Sequence, residues 1–127
     1  MACHAANYGF DAERGGYFEE GIPHGPVTGW EKLWWVQFDA LPGLWWTYRL
    51  TGERLYLERL LKTLDWLQRG QRDPEFGEWY WGVRRDGTLG DNGDVKGELW
   101  KTAYHNVRAL LLTEDWIGVA LAQAPPC

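Results

Sequence analysis

Apolar residues recur at helical spacing in three stretches. In WEKLWWVQFDALPGLWWTYRLTG, residues 30–52, Trp34, Phe38, Leu41 and Trp45 fall on one stripe. Lys32, Trp35 and Asp39 fall on a neighbouring one. This predicts a helix opening after Thr28 or Gly29, with Pro42 expected to kink or interrupt it because proline removes a backbone donor and crowds the preceding turn. The clearest helix is TGERLYLERLLKTLDWLQRG, residues 51–70, where Leu57, Leu60, Leu61, Leu64 and Leu67 repeat. Thr51 is read as its N-cap, Glu53 as favouring its first turn and Arg69-Gly70 as its end. A last helix is expected from Trp100 to Trp116, with Lys101, His105, Arg108 and Leu112 on one face and Tyr104, Val107 and Leu111 beside them.

Between these lie shorter signals. Residues 1–8 read as a helix end. Gly15-Gly16 reads as a turn followed by the extended pair Tyr17-Phe18, and IPHGPVTG as loop. FGEWYWGVRRDGTLG alternates and carries Asp86-Gly87, so it predicts a short strand or hairpin. In DNGDVKGE, the residues Asp91, Asn92 and Asp94 lack the alternation of a calcium loop, leaving a solvated turn. No segment is of low complexity, and QAPPC forms a tail.

Length and composition narrow the classes. A chain of 127 residues is expected to form one domain. A net charge of -5 excludes the basic footprint of a nucleic-acid binder and argues against an anionic-membrane partner. No apolar run is long enough to span a bilayer, and Met1 to Ala5 do not resemble a secretory signal. Cys3 and Cys127, at opposite ends without CxxC spacing, read as free thiols of a cytoplasmic protein, with a terminal-to-terminal disulfide as the alternative. Ten tryptophans and six tyrosines suit a core, an interface or a cleft that stacks on sugar rings. Trp34, Trp45, Trp46 and Trp66 read as core, Trp79 and Trp81 as either, and Lys32 and Lys101 as surface or pocket-rim charges. His24 is a loop residue within reach of a pocket mouth.

The densest chemistry is WKTAYHNVR, residues 100–108, which sets His105 among Tyr104, Asn106, Arg108, Lys101 and Trp100. By spacing alone, a histidine in a helix is more often structural than catalytic. Five segments change that reading: DAERGGYFEEG, KLWWVQFDAL, YRLTGERLYLE, GEWYWGV and WKTAYHNVRALL. Their order resembles the N-acylglucosamine 2-epimerase superfamily, most of all its cellobiose 2-epimerase branch, from about Asp11 to Leu112.

The resemblance implies an all-α fold, the C-terminal part of an (α/α)6 barrel with short β-hairpin insertions, residues 1–127 being a single partial domain. It implies that His105 is one of two catalytic histidines and that Trp35 and Trp100 line the sugar site. Asp39 lies where the family usually has glutamate, one methylene longer. Ala103 replaces a frequent proline, and Pro42 is unusual at its position. The family's second catalytic histidine and sugar-binding arginine correspond to no residue here; His4 and His24 match neither.

Epimerisation at C2 of an opened aldose needs a base on one face and an acid on the other, both changing protonation near neutral pH, which suits two imidazoles without metal or other cofactor. Arg108 and Tyr104 would orient the sugar, and Asp39 would either polarise His105 or hold a hydroxyl. The implied activity is C2 epimerisation of the reducing-end glucose of a β-1,4 disaccharide. The rivals are an aldose–ketose isomerase of the mannose isomerase type and a non-catalytic carbohydrate-binding or assembly fragment. The isolated chain is expected to be almost inactive, and to self-associate, behave as a loose monomer or meet a complementary N-terminal half.

Overall fold

The structure is a computed structural model that describes residues 4–123. The thiol readings for Cys3 and Cys127, and the expectations for residues 1–3 and 124–127, lie outside the described residues. A π-helical turn, Ala5–Gly9, leads into a tight loop and then strand β1, Glu31–Leu33. Helix α1, Trp34–Thr51, follows directly, then α2, Arg54–Trp66, a second π-helical turn, Leu67–Gln71, strand β2, Gly82–Arg84, and α3, Tyr104–Ala122. The strands pair antiparallel, Glu31 with Arg84, Lys32 with Val83 and Leu33 with Gly82.

Several boundaries differ from those the periodicity predicts. Residues 31–33 are strand rather than helix, because their backbone is taken up by β2 and the side-chain amide of Gln71 donates to the Lys32 carbonyl at 3.0 Å. The segment before Trp34, Trp-Glu-Lys-Leu, is too short to fix a period, and tertiary pairing decides it. Pro42 does not interrupt α1, which runs through it. A proline inside a helix costs about 3 kcal/mol. Burial of Phe38, Leu41, Leu44 and Trp45 around it, at roughly 1.5–3 kcal/mol each, outweighs that.

Thr51 ends α1 instead of capping α2: its hydroxyl donates to the Thr47 carbonyl, and Gly52, at φ 71°, closes the helix from the left-handed region. Helix α3 starts four residues later than expected and continues past Trp116, where Ile117 and Ala120 still meet the core. The Asp86-Gly87 hairpin forms as predicted, with Val83 bridging Leu89.

The stripe Trp34, Phe38, Leu41 and Trp45 is buried as expected, and with Tyr56, Leu60 and Leu67 it forms the core between α1 and its neighbours. The leucine stripe of α2 is only partly inside: Leu61 is 56% exposed, while Tyr56 takes a buried place. Trp46 is also not core; it is 50% exposed against Trp116. Trp79 and Trp81 are packing residues. The Trp79 ring meets Phe38 edge-on and its indole N–H donates to the Leu67 carbonyl, and Trp81 stacks on Trp34.

One arrangement occurs twice. Asp11 accepts the backbone N–H groups of Glu13 and Arg14, and Phe10 bridges Tyr17; Asp73 accepts those of Glu75 and Phe76, and Arg72 bridges Trp79. Each loop turns through the left-handed region, at Gly15 and Gly16 (φ 78° and 77°) and at Gly77 and Glu78 (φ 72° and 63°). Each is held by a lysine that is buried, not on a rim: Lys32 is fully buried and Lys101 is 4% exposed. Lys32 Nζ donates to Asp11 Oδ2 at 2.8 Å and to the Gly15 carbonyl at 2.6 Å, and lies 3.7 Å from the centre of the Trp66 ring. Lys101 Nζ meets Glu78 and the Lys96 carbonyl, over Trp34.

These contacts tie stability to pH. Burial pushes the Asp11 carboxyl up, but the Lys32 hydrogen bond, the N–H groups of Arg14 and Glu13 and the Lys32 charge together bring it below the ordinary range. The hydrogen bond from Lys96, with the N–H groups of Glu75 and Phe76, brings Asp73 down to about 2. A carboxyl lowered by folding stabilises the protein above its unfolded value, about 3.9, and that contribution is lost as pH falls through the folded one. Acid unfolding followed by circular dichroism should therefore steepen between about pH 4 and pH 2. At neutral pH, Asp11→Asn strands a buried ammonium and should cost about 3–5 kcal/mol in urea unfolding, with Lys32→Met in the same chain restoring most of it. A loss below about 1 kcal/mol would show that this ion pair is not a structural anchor.

Candidate functional site

The two frames deliver two helix N-termini to one place. Helix α1 begins one residue after Leu33, so its first turns present Trp35 and, one turn on, Asp39. Helix α3 begins three residues after Lys101, so its first turns present Tyr104, His105 and Arg108. The two helices pack along each other, with Ala109 fully buried. Its lack of a bulky side chain permits the close approach.

Asp39 is where they meet. His105 Nδ1 lies 3.0 Å from Asp39 Oδ2, and Arg108 Nη2 donates to Asp39 Oδ1 at 2.6 Å. A carboxylate can only accept, so Nδ1 carries the proton that faces Asp39, and in the neutral imidazole Nε2 is left with its lone pair. Each Asp39 oxygen is engaged by one protein partner, Oδ2 by His105 and Oδ1 by Arg108. The shorter side chain spans the gap to His105 because α1 and α3 lie close. Arg108, expected to meet sugar oxygens, is turned to Asp39 and stacks over the Tyr104 ring at 5.0 Å. The three side chains stay open to solvent, at 32% for Asp39, 28% for His105 and 41% for Arg108.

Aromatic rings surround the imidazole: Tyr104 at 5.1 Å, Trp35 at 6.0 Å and Trp34 at 6.2 Å between centres. Trp35 and Asp39 also line a cleft of about 630 Å³, whose other walls include Tyr17, Phe18, Glu19 and His4. Burial pushes the Tyr17 hydroxyl up to about 12, so it stays protonated. His24, on the hairpin between Gly21 and Val27, comes within 5.3 Å of the His4 ring, at φ 57°.

Trp100 stands apart from this cluster. It is 76% exposed on the bend before α3, with its backbone N–H on Glu98, and its ring joins none of the ring contacts around His105. Among the described residues, no group of three or more histidine, cysteine or acidic side chains could hold a metal ion, and no helix is long and apolar enough to cross a membrane.

The sequence reasoning missed the two buried lysines and the amides that work with them. The signal was present as an internal repeat. KLWWVQFDAL and KTAYHNVRAL both place an amide five residues after lysine and Ala-Leu at their end.

Residues 1–109 match the family model of N-acylglucosamine 2-epimerase (GlcNAc 2-epimerase). The chain is 33% identical over 104 residues to a cellobiose 2-epimerase of Bacteroides fragilis, covering 82% of this chain and 26% of that protein. Among solved structures, it resembles a cellobiose 2-epimerase of Spirochaeta thermophila with a TM-score of 0.66 at 35% identity, over 72% of this chain and 23% of the other. It also resembles a D-mannose isomerase with a TM-score of 0.74 at 26% identity, over 85% and 27%. The chain thus spans about a quarter of the length of the proteins it matches. Its helical hairpins are part of an (α/α)6 barrel, and the chain belongs to the N-acylglucosamine 2-epimerase family.

Proposed function

We propose that this chain carries one half of the proton-transfer machinery of a sugar 2-epimerase, acting on the reducing-end glucose of a β-1,4 disaccharide such as cellobiose. The observation that carries the reading is the 3.0 Å contact of His105 Nδ1 with Asp39, which leaves Nε2 of the neutral ring as a base, with the Trp35 ring 6.0 Å from the imidazole between centres. Once the sugar ring opens, Nε2 of His105 takes the C2 proton, and the C2–H electron pair moves into an enediolate with the C1 carbonyl. Asp39 stabilises the imidazolium that forms, and Arg108 holds Asp39 in place. Trp35 offers a flat apolar face to a pyranose ring. Reprotonation from the opposite face inverts C2 and requires a second acid.

We assign that second group to a complementary part of the barrel, with residues 1–127 acting as a single partial domain, its C-terminal portion. The exposed apolar side chains Tyr104, Val107 and Leu111 along α3 and Trp46 and Leu50 on α1 support this assignment, because exposed apolar groups favour association. The similarity to a D-mannose isomerase favours a second reading, in which the same enediolate is reprotonated at C1.

The chain is to be incubated with cellobiose in deuterated buffer, with and without the complementary N-terminal half of a related epimerase. Deuterium should enter C2 only in the mixture, and label at C1 of a ketose product would select the isomerase reading. His105→Asn should abolish exchange, and Asp39→Asn should slow it on the order of 10²-fold. Full exchange by His105→Asn would remove the role assigned here. In urea unfolding, a double-mutant cycle of Asp39→Asn with Arg108→Gln should give a coupling of only about 0.2–1 kcal/mol, as expected of a solvent-screened pair. A much larger coupling would make the bridge a stability element.

A further inference from the structure

We propose that Glu78 is a positioning residue that sets the first turn of α3 and through it the place of His105. The inference rests on the assignment of His105 as the proton-transfer base.

The argument comes from comparing the two copies of the loop and helix start. In the first copy, Gln37, five residues after the buried Lys32, reaches the loop directly. Its Oε1 accepts the Tyr17 backbone N–H at 2.7 Å, and its Nε2 donates to the Tyr17 carbonyl at 2.8 Å. The loop position facing it is Gly16. A Cβ there would stand 2.8 Å from Gln37 Oε1 and 2.9 Å from the Trp66 ring, so the amide and the indole leave no room for a side chain.

In the second copy, the residue five places after the buried Lys101 is Asn106, one methylene shorter. The loop position corresponding to Gly16 is Glu78. The backbone is the same: Asp73 N–H donates to the Glu78 carbonyl at 3.0 Å, as Asp11 N–H does to Gly16 at 2.9 Å. What changes is which side supplies the link. Glu78 Oε1 accepts from Asn106 Nδ2 at 2.9 Å and from Lys101 Nζ at 3.4 Å.

Glu78 holds φ 63°, a region that disfavours side chains with a Cβ and that glycine occupies freely in the first copy. A strained non-glycine residue of this kind persists only where the structure around it holds it in place. Here the side chain joins the loop to both residues that bracket the start of α3. Asn106 is buried and adjacent to His105, so the Glu78 link bears on the turn that carries the imidazole.

The test uses NMR of the full chain without sugar. The Trp34, Trp35 and Tyr104 rings around His105 should shift its ring-proton resonances, so those shifts report its position. Glu78→Gly should move them towards the values of a free histidine and lower amide protection over residues 104–108. Glu78→Gln, which keeps an acceptor oxygen, should retain most of the native shifts even where the melting temperature changes. Asn106→Gln in the Glu78→Gly chain recreates the pairing of the first copy and should bring the shifts back. If Glu78→Gly fails to fold, the Glu78→Gln chain decides: native His105 shifts support the role, and displaced ones overturn it. Unchanged His105 shifts in a folded Glu78→Gly chain would also overturn it. Because no sugar is present, that result would leave the C2-exchange reading untouched, and absence of C2 exchange would leave this one standing.

Discussion

The buried ammonium of Lys32 is the contact on which the rest of the structure depends. A charge taken fully out of water is tolerable only when its hydrogen bonds are met, and Asp11 and the Gly15 carbonyl meet them with the Trp66 face beside it. That requirement ties three separate parts together: the loop after the first π-helical turn, strand β1, and the end of α2. Leu33 and Trp34 follow directly, so the direction in which α1 leaves the sheet is set by the same contact. Lys101 does the equivalent for α3, with Glu78 as its carboxylate.

Two helix starts fixed by the same kind of frame are brought side by side, and the chemistry follows from that placement. Asp39 sits one turn into α1, and His105 and Arg108 sit in the first two turns of α3. The carboxylate is shared between them and left partly open to water. Its worth is orientation more than stability, because an exposed ion pair contributes little to folding. An imidazole whose Nδ1 proton is held by a carboxylate offers a defined Nε2, and a proton-transfer base needs that constancy.

Much of this was readable from residue patterns. The apolar stripe Trp34, Phe38, Leu41 and Trp45 lies in the core, although Trp46 and Leu50 leave apolar side chains on the opposite face of the same helix. The Asp86-Gly87 hairpin formed because its turn chemistry is local. The resemblance carried by five segments pointed to the family and to Asp39, His105 and Arg108, which the fold does bring together; Trp100 lies apart from them. What stayed illegible depends on long-range pairing. A lysine at a helix start looks like a surface charge until the loop that encloses it is known, and Lys32 and Lys101 were misread for that reason. Strand β1 was hidden because its pairing with β2 is long-range, and the late start of α3 because Lys101 is drawn to Glu78 and the Lys96 carbonyl. The helix through Pro42 survived because burial on both sides outweighs one lost hydrogen bond.

The central claim is that His105 is held by Asp39 as a single tautomer with Nε2 free for substrate. Nitrogen-15 NMR of the imidazole, in mildly alkaline solution with no sugar present, tests it most directly. The account predicts one neutral form protonated at Nδ1, converting to a mixture of tautomers in Asp39→Asn. A wild-type His105 protonated mainly at Nε2, or a spectrum unchanged by Asp39→Asn, would contradict it.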